Sequence, residues 1–153
     1  YSIYSHSFCP SISEVQYQFY NEEIALANAI GVGIQPFDKE VFYQRTSVLG
    51  QEYMGEGCDV PFDEEWEVGY GTGPFTIQNR YVTEDVPVGC HVYHELGKKF
   101  GVPTPIIDSM IVLGGVMNKT DYFESGLKLE DLGIGHMDKE ALLAYLNEGV
   151  YTE

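Results

Sequence analysis

Apolar residues return at helical spacing along most of the chain. Ile12, Val15, Phe19, Leu26 and Ile30 fall on one face, with Tyr20, Ile24 and Ala27 beside them, which predicts a long amphipathic helix over 11–30. Cys9-Pro10 leads into it, Ser11-Ile12-Ser13-Glu14 has capping-box spacing, and Gly31 and Gly33 stop it. Asn21-Glu22-Glu23, in its middle, reads as a solvated or interface patch. Asp38 caps a second helix through about 49, carrying Val41, Phe42, Arg45, Val48 and Leu49. Residues 50–57 are punctuated by glycine and read as a loop. Residues 59–67 are acidic around Trp66, and 68–74 alternate glycine with Tyr70 and Thr72. Helical spacing resumes over 88–100, with Val92, Leu96 and Phe100 in line and Lys98 and Lys99 at the negative end of the dipole.

Gly101-Val102-Pro103-Thr104-Pro105 ends that helix and opens another, over 105–117. Ile106, Ile107, Met110, Ile111, Val112, Leu113 and Val116 make it apolar nearly all round, so it is expected to be the buried helix. Asp108 within it is either a first-turn acid favoured by the dipole or a buried acid with a partner. Thr120-Asp121-Tyr122-Phe123 starts a short helix ended by Gly126, and 127–132 form a further turn. Asp138 caps a closing helix through Leu142, Leu143, Tyr145 and Leu146, ended by Gly149. Strand signals are weak throughout. The economical reading is all-α, a single helical domain of six or seven helices, with no internal repeat.

Composition narrows the function classes. The 153 residues suffice for one domain with a sizeable core, and 44% hydrophobic with 14% aromatic is a globular composition. A net charge of -16 with only 8 basic residues excludes a phosphate-backbone partner and a polybasic membrane-surface role. No apolar run approaches the ~20 residues of a membrane span. Cys9, Cys58 and Cys90 are odd in number and form no CxxC pair. That argues against a disulfide framework or a cysteine zinc site and for a reducing, cytoplasmic setting. The chain opens abruptly on apolar Tyr1-Ser2-Ile3-Tyr4, without signal peptide or initiator methionine, which points to residues removed upstream.

The acidic stretch 59–67 lacks the alternating pattern of a calcium loop and reads as a solvated face. The glycines of 68–74 are not a phosphate loop, because no Lys-Ser/Thr follows them, and no GxGxxG follows a strand. His91 and His94 lie three apart without a third ligand, so a metal is not expected there. His6 and His136 are isolated. The stretch Asn79-Arg80-Tyr81-Val82-Thr83-Glu84-Asp85-Val86-Pro87 holds one of the two arginines, the other being Arg45. Arg80 offers a planar fork that grips a carboxylate bidentately. Asp85 has the chemistry to orient an imidazole and stabilise its charged form. The plainer reading is that Thr83 or Asp85 caps the following helix and Arg80 forms an ordinary ion pair; a cap is worth ~1 kcal/mol by itself.

Several ordered segments resemble the helical C-terminal domain of the octopine/nopaline (opine) dehydrogenases, over nearly the whole chain. They are Cys9-Pro10-Ser11 with Ala25-Leu26-Ala27-Asn28-Ala29-Ile30-Gly31, the block from Arg80 to Pro87 with Gly89, Leu96-Gly97 through Gly101-Val102-Pro103-Thr104-Pro105 to Ile107-Asp108, Asp121-Tyr122, and Gly126 with Leu129 and Leu132-Gly133. The resemblance implies a fold similar to the 6-phosphogluconate dehydrogenase C-terminal domain. It implies a partner N-terminal Rossmann domain, absent from this chain, that mainly binds NAD or NADP. It implies reductive joining of an amino acid to a 2-oxo acid such as pyruvate. Arg80 would bind the oxo-acid carboxylate and Asp85 would be catalytic, supporting a histidine. That histidine belongs to a His-Pro segment upstream of Tyr1. Asn79 stands where the family commonly has histidine, and Cys9 where it has threonine. The chain then reads as a piece of a larger enzyme, inactive alone, and a homodimer is compatible with the apolar surface such a half exposes. The alternative is a non-catalytic helical interaction module that keeps the fold without the chemistry.

Overall fold

The computed structural model describes residues 10–42 and 75–149. Every regular element among them is helical, so the all-α expectation holds. In chain order these are α1 (Pro10–Ile30), α2 (Lys39–Phe42), α3 (Arg80–Thr83), a π-helical turn (Asp85–Cys90), α4 (His91–Phe100), α5 (Pro105–Asn118), α6 (Tyr122–Ser125) and α7 (Lys139–Glu148). The chain groups into two compact units, one of Tyr1–Tyr20 with Gln35–Phe75, the other of Asn21–Ile34 with Thr76–Glu153. The second helix is described only as far as Phe42, and the predicted continuation to Leu49, like the stretches 50–57, 59–67 and 68–74, lies outside the described residues, as do Cys9, Cys58, Arg45 and His6.

In the first unit, Tyr17, Tyr20, Phe37 and Phe42 gather as an aromatic cluster. Tyr20 stacks on Phe42 at 4.8 Å between ring centroids, and Tyr17 meets the same ring at 5.2 Å. The Tyr20 hydroxyl accepts from the Phe37 amide at 2.8 Å. Lys39 reaches Glu14 at 2.7 Å and lies over the Tyr17 ring. Helix α1 begins at Pro10, a favoured first helical position, so Ser11 lies inside the first turn and not at the cap that the sequence predicts.

The second unit is built on Leu26, Ala27 and Ile30 of α1, which are buried, whereas Ile12 and Val15 of the same predicted stripe are exposed. Ile30, Met137 and Leu142 form a core cluster with Leu96, Phe100 and Tyr145 against it. Glu22 belongs to this packing and is not a solvated residue. Its two carboxylate oxygens accept the Ile106 amide at 2.7 Å and the Ile107 amide at 3.0 Å. These are orphan donors at the start of α5, where Thr104 makes no side-chain cap. Glu23, beside it, hydrogen-bonds Tyr93.

Helix α5 corrects the expectation of a fully buried helix. Ile107, Ile111, Gly114 and Gly115 are buried, but Val112, Leu113 and Met117 are half exposed and Val116 is 72% exposed. An apolar sequence shows which residues tolerate burial; how many faces are covered depends on the neighbours. Three further end signals hold. Asp121 caps α6 through the Phe123 and Glu124 amides, and Asp138 caps α7 through Ala141. Gly101 ends α4 at φ 72°, a left-handed position that costs glycine nothing.

Candidate functional site

The stretch that holds Arg80 and Asp85 folds in two steps. Asn79 is extended and its side chain accepts the Tyr81 amide at 3.3 Å, which starts the single turn α3. A proline then arrives at position 87. In an α-helix its ring would strike the carbonyl four residues back, and it has no N–H to give. The chain takes a wider turn over Asp85–Cys90, in which the His91 amide reaches back five residues to Val86. Val86 is buried and packs against the bare backbone of Gly114 on α5. The carbonyl of Pro87 accepts the Leu127 amide at 2.9 Å.

Neither Thr83 nor Asp85 caps the helix that follows: the π turn and α4 begin without a side-chain cap, and Asn79 caps the turn before them, α3. The Thr83 hydroxyl donates to the Asn79 carbonyl at 3.2 Å, and Asp85, at the start of the π turn, is exposed. Arg80 does form the ordinary ion pair of the plainer reading. Its Nη2 lies 3.5 Å from Glu84, with the two side chains 71% and 56% exposed. A pair so long and so wet contributes little and leaves the guanidinium free to exchange partners. Among the described residues, the Asp85 carboxylate makes no hydrogen bond or ion pair.

Beside Asp85, the Cys90 thiol is pushed up to about 11 by burial and then by the charges of Asp85 and Glu23. It is a protonated, unreactive group at neutral pH. Tyr93 is pushed up to about 12 by burial and by Glu23. The group that senses Asp85 is therefore a neutral thiol.

The histidines are placed elsewhere. His91 is 1% exposed, with Nδ1 2.9 Å from the Leu127 carbonyl and Nε2 3.2 Å from that of Phe123. His94 donates from Nδ1 to Asp108 at 2.8 Å, and the Thr104 hydroxyl donates to the same oxygen at 3.0 Å. Asp108 is thus both a first-turn acid and an acid with partners, half-buried and not fully so. Sequence reading did not name His94 as its partner. No group of three or more His, Cys, Asp or Glu side chains that could hold a metal occurs among the described residues.

A dinucleotide finds no cradle among the described residues either. They contain no strand–glycine turn–helix unit, and the paired amides at the start of α5, the kind of site that holds a phosphate, are closed by Glu22. A cleft of about 390 Å³ lies between the end of α5 and the start of α6, around Ile111, Val116, Lys119 and Tyr122. It contains neither Arg80 nor Asp85. No described helix is long and apolar enough to cross a membrane.

Residues 1–118 match the family model described as NAD/NADP octopine/nopaline dehydrogenase, alpha-helical domain. The chain is also similar to the opine dehydrogenase of Arthrobacter sp. (strain 1C), 27% identical over 137 residues. That alignment covers 88% of this chain and 36% of the relative, so the chain spans well under two thirds of the relative's length.

Proposed function

The chain belongs to the NAD/NADP octopine/nopaline dehydrogenase alpha-helical domain family, and from that premise we propose that it is the substrate-binding half of an opine-type dehydrogenase. The reaction is the reductive condensation of an amino acid with a 2-oxo acid. NAD or NADP would supply the hydride and be held by a separate Rossmann domain.

The chain's own residues act on the oxo acid and on a proton. Arg80 presents its fork to the substrate carboxylate, exchanging the loose contact with Glu84 for two charge-assisted hydrogen bonds. Asp85 accepts Nδ1–H from a histidine supplied outside the described residues. It fixes that ring's tautomer and stabilises the imidazolium, so that Nε2 can pass its proton to the carbonyl or imine centre. The observation that carries this reading is the division of labour in the stretch. Asn79 takes the capping role, which leaves Arg80 and Asp85 exposed on one short segment with almost no structural role.

The expected outcome of Arg80→Ala, in the enzyme that carries this chain with its cofactor domain, is an oxo-acid KM raised roughly 10- to 100-fold, the range of a lost charge-assisted contact. The cofactor KM should stay near wild type. Equal oxo-acid kinetics in the two proteins would remove the role given to Arg80. A second reading, a non-catalytic interaction module, draws support from the exposed apolar residues of α5; it predicts no hydride transfer in any variant.

A further inference from the structure

We propose that His91 is a positioning residue: through the peptide of Leu127 it holds the π turn, and with it the carboxylate of Asp85. The role of Asp85 rests on the function proposed above; the hold on the turn does not.

Leu127 is engaged twice. Its N–H donates to the Pro87 carbonyl at 2.9 Å, and its own carbonyl accepts from His91 Nδ1 at 2.9 Å. One residue of a remote segment thus closes a bridge from the middle of the wide turn to the residue just after it. The tautomer of His91 follows from its neighbours. Nδ1 faces the Leu127 carbonyl and donates to it. Nε2 lies 3.2 Å from the Phe123 carbonyl and 3.3 Å from Lys128 Nζ, which donates to that same carbonyl. Lys128 has three protons to give, so it serves both Nε2 and that carbonyl. The ring is held at both nitrogens.

The passing chain is fitted to this ring. A Cβ on Gly126 would lie 2.4 Å from His91 Cγ, closer than carbon atoms approach, and 2.6 Å from the Tyr122 carbonyl. With 1% exposure, His91 has no access to a substrate proton. Its ring nitrogens are spent on Phe123, Leu127 and Lys128.

The wide turn needs such a hold. π geometry is rarely stable beyond a single turn, and Pro87 brings no N–H to this one. Released from Leu127, the turn loses its hold. Asp85 is its first residue, so the carboxylate loses its fixed direction while Arg80, one element earlier on α3, keeps its own. A carboxylate that orients a histidine tolerates little misplacement.

The test uses three variants of the intact protein: His91→Phe, which keeps an aromatic ring and loses both bonds, His91→Asn, whose amide can still donate to Leu127, and Gly126→Ala, which displaces the ring. In His91→Phe, amide exchange at Leu127, Cys90 and His91 should quicken about tenfold or more, while α5 and α7 amides keep their protection. Unchanged exchange at those three amides overturns the hold. In the active enzyme, kcat should fall about tenfold with the oxo-acid KM within about threefold of wild type, and His91→Asn should recover much of it. An asparagine variant as damaged as the phenylalanine one, or an unchanged kcat, overturns positioning of Asp85. If wild type transfers no hydride, the proposed function falls, the role of Asp85 falls with it, and exchange alone decides the hold on the turn. If His91→Phe does not fold, His91→Asn and Gly126→Ala carry the same comparison, asparagine near wild type and alanine resembling loss of the bridge.

Discussion

Glu23 shows how one residue's surroundings change its meaning. It stands half-buried on α1, and burial raises its pKa above the ordinary 4.5, offset in part by the hydrogen bond from Tyr93. A carboxyl raised in this way holds its proton more tightly folded than unfolded. Its ionisation therefore weakens the fold as pH rises from the unfolded value through the folded one. Glu23→Gln removes that ionisation and keeps an acceptor for Tyr93. Thermal melts from pH 4 to pH 8 should show the variant gaining on wild type as pH rises, with the largest advantage near neutrality. Parallel curves would mean that burial costs Glu23 nothing. The sequence left Asn21-Glu22-Glu23 as a solvated or interface patch, and the packing of Glu22 and Glu23 decides for the second. Nothing local revealed that α4 and the start of α5 pack against these two acids.

At the scale of elements, the helices were legible where their ends were written in side chains. Asp121, Asp138, Gly101 and Gly149 fix the bounds of α4, α6 and α7 from within a few residues. The π turn was not legible. The 3.6-residue pattern predicted a helix from 88, whereas the wide turn starts at Asp85, because Pro87 forbids α geometry and Leu127, forty residues on, takes its carbonyl. The start of α5 is similar: its cap comes from Glu22, 84 residues away from Ile106. Glu22→Ala should cost about 2 kcal/mol, since a charged acceptor leaves two helix amides at once. Glu22→Gln should fall between that and wild type in urea titrations. A change within a few tenths of a kcal/mol would show that water replaces the carboxylate freely.

For the whole molecule, the dominant number is the charge. Twenty-four acids against 8 bases leave -16, and few of the described acids are neutralised by ion pairs. Self-repulsion of this size works against the compact state. Raising sodium chloride from ~0.01 M to ~0.15 M shortens the Debye length from about 30 Å to about 8 Å, so the melting temperature should climb by several degrees. Chloride is the proper salt, because sulfate would also stabilise by exclusion from the surface. A flat response would mean that the acids are spaced too widely to repel. The exposed face of α5, with Val116 outermost, stands out on so acidic a chain.

The sequence by itself determined the helical class, most helix ends and the candidate pair Arg80 and Asp85, because period, caps and motif are properties of neighbouring residues. Tertiary structure decided what lies between distant segments. It gave His94 to Asp108 and the first amides of α5 to Glu22. It spent His91 on Leu127, and it left one side of an apolar helix uncovered. Each outcome depends on which backbone groups and side chains meet after folding, where a carbonyl left over at Pro87 or an amide left over at Ile106 takes the nearest partner that burial provides.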